Sequence, residues 1–143
     1  RHFSVRGYTC YRADHPDDCH KGGAALLVRS DIKHQPLLPI IENEMQIARI
    51  EISLSGVSFQ IAAFYSAGAN SLRASDVWAF THELGSRFII GGDFNAKNRI
   101  FGSTVANPRG NMLASEVQHL GITVLHPLQP THYPEHVGQR PDI

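Results

Sequence analysis

Ile89-Ile90-Gly91-Gly92-Asp93-Phe94-Asn95-Ala96-Lys97 joins an apolar run to a cluster of polar groups. Phe88-Ile89-Ile90 reads as a short buried strand that runs directly into two glycines. Beyond them the chain delivers a carboxylate and an amide two residues apart. On an extended segment residues i and i+2 point to the same side, so Asp93 and Asn95 are expected to converge on one ligand. The glycines would let a substrate or another backbone come close. A carboxylate takes a proton from an attacking water, and an amide donates to a phosphoryl oxygen without adding charge. A plain turn at Gly92-Asp93 with Asn95 as its cap fits the same letters.

Upstream of this stretch, Val77, Phe80 and Leu84 recur at helical spacing, which predicts a helix capped by Ser71 or Ser75 and stopped by Gly85. Before it, Gln46–Leu54 and Val57–Tyr65 alternate like two strands joined at Ser55-Gly56, a hairpin signal. Ala24-Ala25-Leu26-Leu27-Val28 is a continuous apolar run that suits a strand buried on both faces, and Pro36 and Pro39 mark an irregular connection. Phe3–Thr9 reads as extended, ending in a loop at Asp14–Asp18. Downstream, Asn107 as cap, Pro108 in first position and Gly121 as stop define a second helix with Leu113, Val117 and Leu120 on one face. Ile122–Leu125 reads as another strand, and prolines hold the rest in loops.

This is one α/β unit of domain size, 143 residues with 42% hydrophobic and 18% charged. No apolar run is long enough for a membrane span. The first residues, Arg1-His2-Phe3-Ser4, carry neither an initiator Met nor a signal-peptide pattern, as expected of a piece of something longer. Formal net charge is zero, so overall charge does not advertise nucleic acid. Between Lys97 and Gly110, however, the chain holds Lys97, Arg99 and Arg109 and no acid. Cys10 and Cys19, the only cysteines, make no disulfide framework and point to an intracellular chain. With His15 and His20 they match no standard zinc spacing.

The string Gly91-Gly92-Asp93-Phe94-Asn95-Ala96-Lys97 resembles the signature of the endonuclease/exonuclease/phosphatase superfamily. Phe101-Gly102-Ser103 with Asn107-Pro108-Arg109-Gly110 is similar to its non-LTR retrotransposon branch. So are Pro130-Thr131-His132 and Gln139-Arg140-Pro141-Asp142-Ile143. Gly7-Tyr8, Tyr11–Asp14 and Gly22–Leu27 resemble jockey-like elements, and Ala63-Phe64-Tyr65 falls where the family has A-x-Y-x-P, so the likeness runs through nearly the whole chain in order. Lys97-Asn98-Arg99-Ile100-Phe101 departs from the family's K-H-x-x-W, and Ser66-Ala67 from the proline that follows its tyrosine.

The resemblance implies a DNase I-like α/β sandwich of mixed sheets flanked by helices, present at 1–143 as a partial domain without its first and last strands. It implies hydrolysis of a DNA phosphodiester, the nick priming reverse transcription. By position Asp93 would ready the water, Asn95 bind the phosphate and Tyr65 face it. Asn107, Arg109, Lys97 and Thr131 would lie along the nucleic acid. Each has a plainer alternative: a core aromatic for Tyr65, a helix cap for Asn107, an exposed cation for Arg109, a loop hydroxyl for Thr131. The implied cofactor is Mg2+ or Mn2+, but the family's metal-binding glutamate has no counterpart among these residues, nor has its S-D-H histidine. Asp142 falls two residues short of the family's L-D aspartate and is given no role. The implied partners are target DNA and a C-terminal reverse transcriptase domain, with no membrane and a nuclear site of action. The competing expectations are a catalytically dead remnant that at most binds nucleic acid or protein, and a phosphatase of small phosphoesters.

Overall fold

The computed structural model describes residues 4–17, 22–42, 44–68, 72–127 and 129. The chain divides into two compact units, residues 1–72 with 79–94, and residues 73–78 with 95–143.

The first unit is built around an antiparallel pair, β5 (Gln46–Leu54) and β6 (Val57–Tyr65), in register from Gln46 opposite Tyr65 to Leu54 opposite Val57. Ser55 and Gly56 both have positive φ, 52° and 80°, the two left-handed residues that match a two-residue turn to strand twist. β7 (Phe88–Asp93) joins β6 in parallel. On the other side of β5, β3 (His34–Pro36) and β4 (Ile40–Ile41) pair with it antiparallel, one after the other. The segment around Pro36 and Pro39 is therefore two short edge strands rather than an irregular connection. Pro36 sits where an edge strand tolerates a missing N–H.

β1 (Tyr8–Asp14) and β2 (Gly23–Arg29) form a separate antiparallel hairpin that packs on β5. Its strand begins later than the sequence suggested and continues to Asp14. β2 buries Ala24 and Val28 but leaves Leu27 42% exposed. Among the described residues only one face of β2 is covered, by the sheet the hairpin lies against.

Alternation along β5 and β6 sorts the sheet's two faces. Ile47, Arg49 and Glu51 stand opposite Phe64, Ala62 and Gln60 on one of them. This face meets the end of α1 (Ala74–Leu84): Phe80 lies 5.5 Å from Phe64, and Arg49 donates to the Glu83 carbonyl at 3.1 Å. The other face carries Gln46, Ala48 and Ile50 opposite Tyr65, Ala63 and Ile61. A side chain at Gly22, the residue before β2, would meet Tyr65 and Gln46 there, so the hairpin covers this face. Covered from both sides, β5 is buried on both faces from Gln46 to Ala48. β7 lies at the end of the sheet with Ile89 63% exposed, so among the described residues it is an edge strand and not the buried one expected.

Val77, Phe80 and Leu84 are buried as their spacing predicts, and Gly85, at φ 76°, ends α1. The helix starts at Ala74, and Asp76 accepts from the Arg73 N–H at 2.8 Å. Ser75 is thus inside the helix, and Ser71 lies outside the described residues.

In the second unit a short 3-10 helix, Arg99–Phe101, precedes α2 (Pro108–His119). Leu113 and Val117 are buried, while Leu120, expected on the same face, is half-buried at the C-cap. Ile122–Leu125 pairs with no described strand; Leu125 is 94% exposed. Among the described residues its β-prone letters have no ladder partner to make them a strand.

Candidate active site

Tyr65 and Asp93 are register partners at the C-terminal ends of β6 and β7. Partners on adjacent strands sit about 4.8 Å apart and project from the same face. Tyr65 is half-buried and Asp93 exposed, so the phenol stands beside a carboxylate that solvent reaches. The Ser66 N–H donates to the Asp93 carbonyl at 3.1 Å, extending the ladder one step past Tyr65. Ser66 is fully buried, and its hydroxyl donates to the Glu44 carbonyl at 2.5 Å. In the sequence this serine stood out only as a departure from the family pattern; in the fold it ties down the strand end that carries Tyr65.

Two aromatic rings fix Asp93 from the opposite face. Phe94 stacks on Phe64 with centroids 4.0 Å apart and planes within 10°, and Phe64 reaches on to Phe80. Of the two close approaches the glycines were expected to allow, the structure shows that of another backbone, and at one glycine only. A Cβ on Gly92, at φ 153°, would lie 1.8 Å from the Phe64 carbonyl oxygen, whereas Gly91 has nothing within 4 Å. The close approach at Gly92 is that of the strand β6 backbone.

Asn95 belongs to the second unit and does not continue the strand: its φ is +48°. The alternation that would have aligned it with Asp93 therefore does not apply. Asparagine is one of the few side chains that occupy this left-handed region readily. Within its own unit Asn95 is held by Asn107, whose side-chain amide donates to the Asn95 carbonyl at 3.3 Å. Asn107 also accepts from the N–H groups of Lys97 at 3.1 Å and Gly110 at 2.6 Å, and its own N–H donates to the Lys97 carbonyl at 2.9 Å.

The Gly110 bond is the helix cap that the sequence suggested; the other three were not foreseen. Gly110 must be glycine, because a Cβ there would lie 1.9 Å from the Lys97 carbonyl oxygen. Asn-Pro-Arg-Gly is thus a device that seats the start of α2 directly on the Lys97 backbone, with half-buried Arg109 and Lys97 on the two joined segments. Asn98 caps the 3-10 helix through Ile100 N–H and donates to Asn111 at 2.9 Å. Thr131, like the Pro130 and Arg140–Ile143 motifs, lies outside the described residues.

Among the described residues no three His, Cys, Asp or Glu side chains come together to hold a metal ion. No helix among them is long and apolar enough to cross a membrane.

Residues 2–141 match the model of the Endonuclease/Exonuclease/phosphatase family. Similar proteins include the RNA-directed DNA polymerase from mobile element jockey of Drosophila melanogaster, 38% identical over 89% of this chain. Its counterpart in Drosophila funebris is 35% identical over the same share. The probable RNA-directed DNA polymerase from transposon X-element of Drosophila melanogaster is 33% identical over 90% of this chain. The chain spans only about 14% of the length of these relatives. Among solved structures, the endonuclease domain of TRAS1, a telomere-specific non-LTR retrotransposon, superposes with a TM-score of 0.74 at 21% identity. That match covers 89% of this chain and 59% of the TRAS1 chain, and it shows the DNase I-like α/β fold. By its family match and its jockey relatives, the chain belongs to the endonuclease/exonuclease/phosphatase family.

Proposed function

We propose that these residues are the central part of an endonuclease that nicks target DNA for retrotransposition. The observation that carries the reading is the pairing of Tyr65 with Asp93 at the C-terminal ends of adjacent parallel strands, within the family's Gly-Gly-Asp-Phe-Asn string. Asp93 accepts a proton from a water attacking phosphorus in line. The Asn95 amide, two residues further along the chain, donates to a phosphoryl oxygen, and the Tyr65 hydroxyl donates to a second. Lys97, Arg109 and Thr131 meet the phosphate backbone, where cations offset its charge. The bond to the 3′ oxygen breaks, leaving a 3′ hydroxyl that primes DNA synthesis by a reverse transcriptase, the partner domain, in the nucleus. Magnesium or manganese is the proposed cofactor. Among the described residues no cluster of three His, Cys, Asp or Glu side chains stands ready to hold it, so a full ligand set would need other residues, waters or substrate oxygens.

The test is a chimera in which these residues replace the matching stretch of the Drosophila melanogaster jockey protein. It should nick supercoiled plasmid in magnesium, and Asp93→Ala should lower the rate by about 10³-fold or more. The 143-residue chain alone should not nick, because no residue in it matches the family's metal-binding glutamate. A folded chimera that leaves plasmid intact, or one indifferent to Asp93→Ala, would contradict the proposal.

A further inference from the structure

Asn107 makes more bonds than a helix cap requires. Its Oδ1 faces two backbone N–H groups, those of Lys97 and Gly110, which settles which end of the amide is oxygen. That orientation leaves Nδ2 as the group 3.3 Å from the Asn95 carbonyl. The Asn107 N–H closes the figure on the Lys97 carbonyl at 2.9 Å. One side chain and its own amide therefore grip the loop at both Asn95 and Lys97. The gripped residue is the one held left-handed, at φ +48°. Asparagine enters this region more readily than most residues, and bonds from its surroundings add to that preference. Gly110 presses the start of α2 against the same loop, leaving no slack between them.

From these bonds we infer that Asn107 is a positioning residue: it holds Asn95 in its left-handed conformation through the Asn95 carbonyl, rather than contacting DNA. This rests on the proposed role of Asn95 and stands in place of the DNA contact that the resemblance implies for Asn107. With Oδ1 accepting twice and Nδ2 already donating once, the amide has a single N–H left for any other partner.

Asn107→Asp separates the two duties of the side chain. Aspartate caps helices as well as asparagine does, so both acceptor bonds survive. The donor to Asn95 is replaced by an oxygen that repels its carbonyl. In the 143-residue chain, the variant should keep its helical circular dichroism while the Asn95 carbonyl-carbon resonance and Ala96 amide resonance move. Unmoved resonances would overturn the link between Asn107 and Asn95. In the jockey chimera, kcat for plasmid nicking should fall about 10²-fold with KM for DNA unchanged within about twofold. A raised KM with kcat intact would overturn positioning in favour of a DNA contact. Nicking that survives Asn95→Ala would overturn the role of Asn95 itself, a failure distinct from unmoved resonances.

Discussion

Asp93 and Asn95 lie two positions apart in the sequence and are held by different means. Asp93 ends a ladder and is backed by the Phe94–Phe64 stack; Asn95 sits in a left-handed turn gripped by Asn107. The pair Gly91-Gly92 shows the same divergence between neighbours and gives a direct test. Gly92→Ala puts a methyl into the Phe64 carbonyl at a φ that alanine avoids, and should cost about 3 kcal/mol or more. Gly91→Ala meets nothing and should change stability by no more than about 0.5 kcal/mol. Urea titration of the two variants measures the difference, and equal effects would refute the close approach. The sequence marked both glycines as permissive; only the pairing of β7 with β6 shows which one is needed.

At the scale of elements, α2 was the most legible part of the chain. Cap, proline, apolar face and glycine stop all act through local bonds, so one sequence displays them together. Leu113→Ala should destabilise by about 2–5 kcal/mol, as for a buried leucine, and Leu120→Ala by about 1 kcal/mol, since Leu120 is half-buried. Thermal melts that rank the two the other way would misplace the buried face. The β5–β6 hairpin was equally readable, because Ser55-Gly56 is a local turn. Strand burial was not. Phe88-Ile89-Ile90 looks like an interior strand, and Ile122–Leu125 looks like any strand, but the neighbours each element finds are set by distant parts of the chain. The 3-10 helix at Arg99–Phe101 escaped notice because its only signal is Asn98, one polar residue among several. For the candidate site the types Asp, Asn and Tyr were legible from the family string. The geometry was not, since alternation assumed an extended chain at Asn95.

At the scale of the molecule, each unit has its own buried residues: Ile47, Ile50 and Phe64 in the first, Leu113 and Val117 in the second. The chain covers 59% of the TRAS1 endonuclease chain it resembles, and in isolation must fold with what it has. The outer side of β7 bears on how it behaves in solution. Among the described residues this strand has a partner only on its β6 side, and it carries an isoleucine that solvent reaches. Unpaired N–H and C=O groups beside an apolar side chain form a template onto which another strand can add. Two copies meeting there would continue the sheet from one molecule into the next. The purified 143-residue chain should therefore self-associate as its concentration rises, visible as a growing mass in light scattering. Ile89→Lys should suppress this by placing like charges across the new seam, while leaving the β6 side of the strand intact. Monomeric behaviour of the unaltered chain at high concentration would show that this edge is already protected.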